Sequence, residues 1–180
     1  MNNIEVEIRA FISKEKYEEL LEFFKQNSEL TKEDKQETHY FDCPQDLRIQ
    51  KNNFSSKIWL KGGQIHDDAR EEIEIHTDKD NFEKLKKLFS ALGHSTEIKW
   101  LRDRKQFDWN GIKVCLDYTL GYGYILELEK MASEENKGEV LSVLKSKLEE
   151  LKIEETPKEI FHQKYEDYKK NWRELINDTD

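Results

Sequence analysis

Three segments of the chain place two glutamates one residue apart: Glu5-Val6-Glu7, Glu72-Ile73-Glu74 and Glu127-Leu128-Glu129. If each segment is a strand, its two carboxylates share one face, because successive side chains point to opposite sides. Paired carboxylates offer the hard oxygen ligands that Mg²⁺ or Mn²⁺ prefers. A second group is cationic and rich in arginine: Arg9, Arg48, Lys61, Arg70, Arg102 and Arg104. The guanidinium fork grips phosphate oxygens two at a time. Packed together without a counterion, the acids would repel one another, and so would the cations. A divalent cation carrying a polyanion relieves both, so the two groups together suit a metal–polyphosphate complex.

That chemistry needs strands to position it. "IEVEIRAF" (4–11) alternates, with Ile4, Val6 and Ile8 opposite Glu5, Glu7 and Arg9. The same alternation sets Arg70, Glu72, Glu74 and His76 against Ile73 and Ile75. It also sets Lys113, Cys115 and Asp117 against Ile112, Val114 and Leu116, and Glu127 and Glu129 against Leu126 and Leu128. Arg102, Arg104 and Gln106 oppose Leu101 and Phe107. Strands are expected at about 3–12, in "ETHYFDC" and "DLRIQ", at 56–63, at 70–77, and in three later segments. Helices are expected at about 14–26, 80–92, 136–151 and 157–176, with a polar connection after the first. Ser13 is read as the cap of the first helix. In "TPKE" (156–159), Thr156 is read as a cap, with Pro157 at the first helical position. "EVEIRAFISKEKYEELLEFF" and "EIEIHTDKDNFEKLKKLF" echo each other, as duplicated or merely similar strand–helix units. About eight strands without regular βα alternation indicate an α+β fold with a mostly antiparallel sheet, and a closed barrel is a candidate.

Two readings fit the charged faces. They are the solvent side of an amphipathic sheet, or the lining of a closed one. The clustering of acids in pairs and the dominance of arginine among the cations favour a lining.

Composition narrows the class. The 180 residues suit one domain spanning 1–180, with 136–176 as helices packed on it. Charged residues make up 38% and aromatics 11%; the aromatics argue against disorder. A net charge of −9 disfavours nucleic acid and anionic membranes as partners. Cys43 and Cys115 lack CxxC spacing and read as cytosolic thiols, and neither a secretory leader nor a membrane span is expected from the pattern. A cytoplasmic protein, monomer or homodimer, is expected. The histidines form no metal set; His76 alone continues a charged face. Trp59, Trp100, Trp109 and Trp172 read as packing residues.

The same residues, in order, resemble the CYTH superfamily, or triphosphate tunnel metalloenzymes. The matching segments are Glu5-Val6-Glu7-Ile8-Arg9, Tyr40-Phe41-Asp42, Leu47-Arg48-Ile49-Gln50, Ile58-Trp59-Leu60-Lys61-Gly62 and Arg70-Glu71-Glu72-Ile73-Glu74. Arg102 to Phe107, then Leu116-Asp117, Gly121-Tyr122-Gly123 and Glu127-Leu128-Glu129, complete the series. The resemblance implies an eight-stranded antiparallel closed β-barrel, the triphosphate tunnel, with helices outside. It implies Glu5, Glu7, Asp117, Glu127 and Glu129 as ligands of Mg²⁺ or Mn²⁺. Arg9, Arg48, Lys61, Arg70, Arg102 and Arg104 become phosphate ligands, with Arg9, Glu72 and Glu74 in catalytic roles; the two glutamates serve a second metal or orient a water.

The implied activity is a metal-dependent triphosphatase acting on tripolyphosphate, a nucleoside triphosphate or thiamine triphosphate. A class IV adenylyl cyclase and a non-catalytic triphosphate binder are the alternatives. Three positions depart from the family pattern. Arg9 stands where lysine is usual and Gln50 where arginine is usual, which leaves Lys51 or Lys57 to compensate. Tyr122 stands where leucine is usual and bears on a tunnel mouth.

Overall fold

The computed structural model describes residues 4–61 and 72–178. They form β1 (Ile4–Ile12), α1 (Lys14–Asn27), β2 (Glu29–Phe41), β3 (Asp46–Lys51), β4 (Ser55–Lys61), β5 (Glu72–Asp78), α2 (Phe82–Ala91), β6 (Thr96–Asp108), β7 (Lys113–Thr119), β8 (Gly123–Ala132), α3 (Lys137–Glu150) and α4 (Lys158–Leu175). This is an α+β fold with one antiparallel sheet in the order β1-β8-β7-β6-β2-β3-β4-β5. No helix among the described residues is long and apolar enough to cross a membrane. Gly62, Gly63, His66 and Arg70 lie outside the described residues.

The chain divides into two compact units. The first comprises residues 1–33 and 103–161; the second comprises 34–102 and 162–180. In the first, the alternation of β1 works as expected. Ile8 is buried and joins Leu126, Leu128, Val114 and Leu116 in a core covered by α1 and α3. Helix α1 contributes Tyr17, Leu20 and Phe24; α3 contributes Val140, Leu144 and Leu148. Each fully buried Leu or Phe here is worth about 1.5–3 kcal/mol against its exposed state. Ser13 caps α1, its hydroxyl accepting from the Lys16 N–H at 3.1 Å. The opposite faces of β1, β7 and β8 carry the charges.

In the second unit, Phe82, Leu85 and Phe89 of α2 pack on Phe41, Leu47, Ile49 and Ile58 of the sheet. Helix α4 is fastened to β6 by side chains one turn apart. The Tyr168 hydroxyl donates to the Lys99 carbonyl at 2.8 Å and the Trp172 indole to the Glu97 carbonyl at 2.7 Å. Carbonyls two residues apart on a strand point the same way, so α4 satisfies one edge of β6.

Three expectations are corrected. The connection after α1 is strand: β2 begins at Glu29, so "ELTKEDKQ" pairs in the sheet despite its polarity. Thr156 does not serve as a simple helix cap. Its hydroxyl accepts from the Phe11 N–H at 2.9 Å and its own N–H donates to the Arg9 carbonyl at 3.1 Å. It therefore clips the edge of β1 that β8 leaves free. The sheet is open where a closed barrel is expected: β1 and β5 end the strand order, with no pairing between them among the described residues. With Thr156 on Arg9 and Phe11, that stretch of β1 has its edge groups already engaged.

Candidate functional site

The charged face of the first unit is built by register. Glu7 of β1 lies opposite Glu129 of β8, and Arg9 opposite Glu127. On the other side of β8, Glu129 lies opposite Lys113 of β7, and Glu127 opposite Cys115. Directly opposed side chains lie within contact range. Glu7, Glu127 and Glu129 thus meet where β1 pairs with β8, and β7 sets Lys113 and Cys115 beside them. Oxygens of Glu5, Glu7 and Glu129 lie within 4.8 Å of one another, and so do donor atoms of Cys115, Glu127 and Glu129. Glu129 belongs to both groups.

Cations partly offset this acidity. Arg104 of β6 donates from Nε and Nη2 to both oxygens of Asp117, at 2.8 and 2.5 Å, and from Nη2 to Glu127 at 2.5 Å. Lys113 Nζ makes an ion pair with Glu129 and lies 4.0 Å from Glu5. Arg9 Nε is 2.8 Å from Glu7, and its guanidinium lies over the Phe161 ring.

The acids nevertheless remain crowded. The Glu7 carboxyl is pushed up to about 7. Loss of hydration contributes most, then the charge of Glu127; Arg9 pulls the other way, and Glu129 and Glu5 add to the rise. Glu7 keeps 34% of its side-chain surface open, on the face where these charges crowd it. Glu129 is 5% exposed, and burial and Glu127 raise it as well, against Lys113. Burial opposes the charge on Arg104, but Glu127 and Asp117 more than compensate and hold it firmly protonated. Carboxylates that resist ionisation beside one another make a place where a cation is stabilised. All-oxygen donors at these separations fit Mg²⁺ or Mn²⁺.

The second unit carries cations with settled partners. Arg48 forms a two-point bond with Asp46, 2.6 Å at Nε and 2.6 Å at Nη2. Its guanidinium lies 4.2 Å from the Tyr40 ring centre and 5.3 Å from that of Trp59. Arg102 donates from Nε and Nη2 to Gln36 at 2.9 and 2.6 Å. Lys57 reaches Glu74 at 2.5 Å and lies over Trp59; His76 is 3.1 Å from the same carboxylate. Glu74 is held below the usual carboxylate range: partial burial opposes this, and Lys57 and His76 prevail.

Position by position, the outcome is mixed. Glu5, Glu7, Glu127 and Glu129 come together as the face alternation expects. Asp117 lies on the same face but is tied to Arg104. Lys61 sits opposite Asp46 and Glu72 in the strand register. Gln50 is buried and donates to the Thr38 hydroxyl at 2.8 Å. Lys57, directly across from Gln50, shares its face. Lys51 pairs instead with Glu37 and lies over Phe82 of α2. Tyr122 is buried against Phe11, its hydroxyl 3.4 Å from the Phe161 carbonyl, so it is a packing residue. Trp109 and Trp172 are packed as expected.

Lys113, Cys115, Asp46 and Gln36 were not among the expected site residues. The signal for the first two was present, since they alternate with Asp117 on β7. Asp46 and Gln36 had none, because their partners depend on side-chain reach within and between strands.

A CYTH domain family model matches residues 3–166. Among solved structures, the PH1819 protein of Pyrococcus horikoshii is 24% identical, covering 84% of this chain and 92% of that chain, with a TM-score of 0.68. A candidate adenylate cyclase from Vibrio parahaemolyticus is 18% identical, covering 90% and 99%, with a TM-score of 0.65. HpAC1 from Hippeastrum, described by a dominant triphosphatase activity, is 19% identical, covering 86% and 90%, with a TM-score of 0.64. At these identities the likeness is one of fold. No curated protein matches. The family model spans nearly the whole chain, and the chain belongs to the CYTH domain family.

Proposed function

We propose that the protein is a divalent-metal-dependent triphosphatase. The observation that carries this reading is the convergence of Glu5, Glu7 and Glu129 within 4.8 Å on one sheet face, with Glu127 beside them. In this reading Glu5, Glu7 and Glu129 hold Mg²⁺ or Mn²⁺, and Glu127 and Asp117 complete the acidic set. The bound ion would neutralise phosphate oxygens and polarise the phosphorus toward attack.

The chain's own residues do the rest. Arg9 and Arg104 take phosphate oxygens, for which Arg104 releases part of its hold on Asp117 and Glu127. Arg48, Lys61, Arg70 and Arg102 are further phosphate ligands, Arg48 and Arg102 exchanging Asp46 and Gln36 for substrate. Arginine at position 9 keeps the charge and adds a fork; it does not serve as a base. Glu72 and Glu74 orient the attacking water. The water oxygen bonds to the terminal phosphorus, the bridging P–O bond breaks, and orthophosphate and the shortened phosphate leave. The triphosphatase activity described for HpAC1 supports this reaction over cyclisation.

The test incubates the protein with Mg²⁺ or Mn²⁺ and, separately, tripolyphosphate, thiamine triphosphate and ATP, assaying orthophosphate and cyclic AMP. Orthophosphate without cyclic AMP is expected. Cyclic AMP and pyrophosphate from ATP, with no orthophosphate from any substrate, would replace the proposal with an adenylyl cyclase. Tight binding without turnover would leave a triphosphate-binding protein.

A further inference from the structure

We propose that Cys115, with Glu127 and Glu129, forms a subsite for a soft divalent cation such as Zn²⁺ or Cd²⁺. The proposal rests on the reading of this face as a cation site and adds a second class of cation to it.

A buried cysteine is usually a small apolar filler. Cys115 is placed otherwise. The alternation of β7 sends Val114 and Leu116 into the apolar core and Cys115 to the charged face, between Lys113 and Asp117. It is 0% exposed, and its thiol has no hydrogen-bond partner among the described residues. Its sulfur lies within 4.8 Å of carboxylate oxygens of Glu127 and Glu129, which are themselves 8% and 5% exposed. Ionised carboxylates offer this sulfur no hydrogen-bond donor, and burial beside them holds the thiol protonated until a metal displaces the proton.

Thiolate sulfur selects zinc-like ions, whereas carboxylates alone suit magnesium. Around zinc, sulfur and oxygen ligands at about 2.3 and 2.1 Å stand about 3.5 Å apart, so small side-chain rotations bring this set into range. As the metal–sulfur bond forms, the thiol proton leaves to water. One thiolate and two carboxylates exceed a dication by one negative charge. Arg104 on Glu127 and Lys113 on Glu129 offset that excess and orient the carboxylates from outside. Because Glu129 also belongs to the all-oxygen group with Glu5 and Glu7, the soft and hard cations compete.

The experiment uses the full chain carrying Cys43→Ser, which leaves Cys115 the single thiol. Cd²⁺ is titrated while the thiolate-to-cadmium charge-transfer absorption is followed, and Mg²⁺ binding is measured separately by calorimetry. A saturating band at one Cd²⁺ per chain is expected, with its midpoint shifted to higher Cd²⁺ by added Mg²⁺. Adding Cys115→Ser should remove the band and weaken Cd²⁺ binding about tenfold to a hundredfold or more, with Mg²⁺ affinity changed by less than about threefold. Mg²⁺ binding with no cadmium band overturns this inference and leaves the proposed function standing. Failure of both ions to bind overturns both. The band on the Cys43→Ser protein reads the site even if the Cys115→Ser chain does not fold.

Discussion

The two units treat their carboxylates in opposite ways. In the first, Glu7 is pushed up to about 7 and Glu129 is raised, because acids on adjacent strands crowd one another. In the second, Glu37 is drawn down to about 2: burial opposes ionisation, but hydrogen bonds from His39 and Lys51 overcome it. Glu74 is lowered by Lys57 and His76 in the same manner. One face therefore stores repulsion that a cation would release, while the other is already neutralised pair by pair. The carboxylates of the second unit are lowered by their own cationic neighbours, and those of the first are raised by one another.

The largest expected effect tests whether Arg104 restrains that repulsion. Arg104→Ala leaves Asp117 and Glu127 buried without their shared guanidinium and should cost about 3–5 kcal/mol in urea unfolding, as for other broken buried pairs. It should also weaken tripolyphosphate binding more than Mg²⁺ binding. A stability change near zero would mean the acids of the first unit are as well solvated as surface groups.

Glu129→Gln comes next. Metal-dependent turnover should fall by about a hundredfold or more, equivalent to about 2.7 kcal/mol of barrier, while the unfolding midpoint at pH 8 stays level or rises. Lost stability with retained activity would make Glu129 a structural residue.

A third test uses pH to set the units against each other. Glu7 binds its proton more tightly folded than unfolded, so its contribution should fall as pH rises from about 4.5 to about 7. Glu37 binds its proton less tightly folded, so its contribution, about 3 kcal/mol, should be present above pH 4.5 and lost as pH falls toward about 2. Glu7→Gln should flatten the upper window alone, and Glu37→Gln the lower alone. Saturating Mg²⁺ should cancel the upper slope, because the ion favours the charged carboxylate. Parallel slopes in the two variants would erase the contrast.

The smallest effect concerns the clip on β1. Thr156→Val removes the acceptor for the Phe11 N–H and should cost about 1 kcal/mol. An unchanged midpoint would show that water replaces the hydroxyl there at no cost.

The sheet faces were legible because period-two alternation is local: Glu5 and Glu7, or Glu127 and Glu129, share a face whatever lies beside them. That β8 lies between β1 and β7 is not local, and with it went the pairing of Lys113 with Glu129 and of Arg104 with two acids. The first half of β2 was missed because its polar side chains show no apolar period. They are held by partners on β6, including Lys105 on Glu33, Thr31 on the Gln106 carbonyl and Arg102 on Gln36. Thr156 carried the composition of a helix cap, but its hydroxyl had a better donor in an unpaired strand amide 145 residues away.

That threonine gives the C-terminal segment of the chain a second duty. A protein shortened before residue 156 would keep all five acids proposed to face the metal and lose the cover on the strand that bears Glu5 and Glu7. Its bare amide and carbonyl would then offer a template to any extended segment, including the same strand of another molecule. Self-association and loss of activity would appear together in such a truncation, although none of the deleted residues belongs to the proposed acidic set.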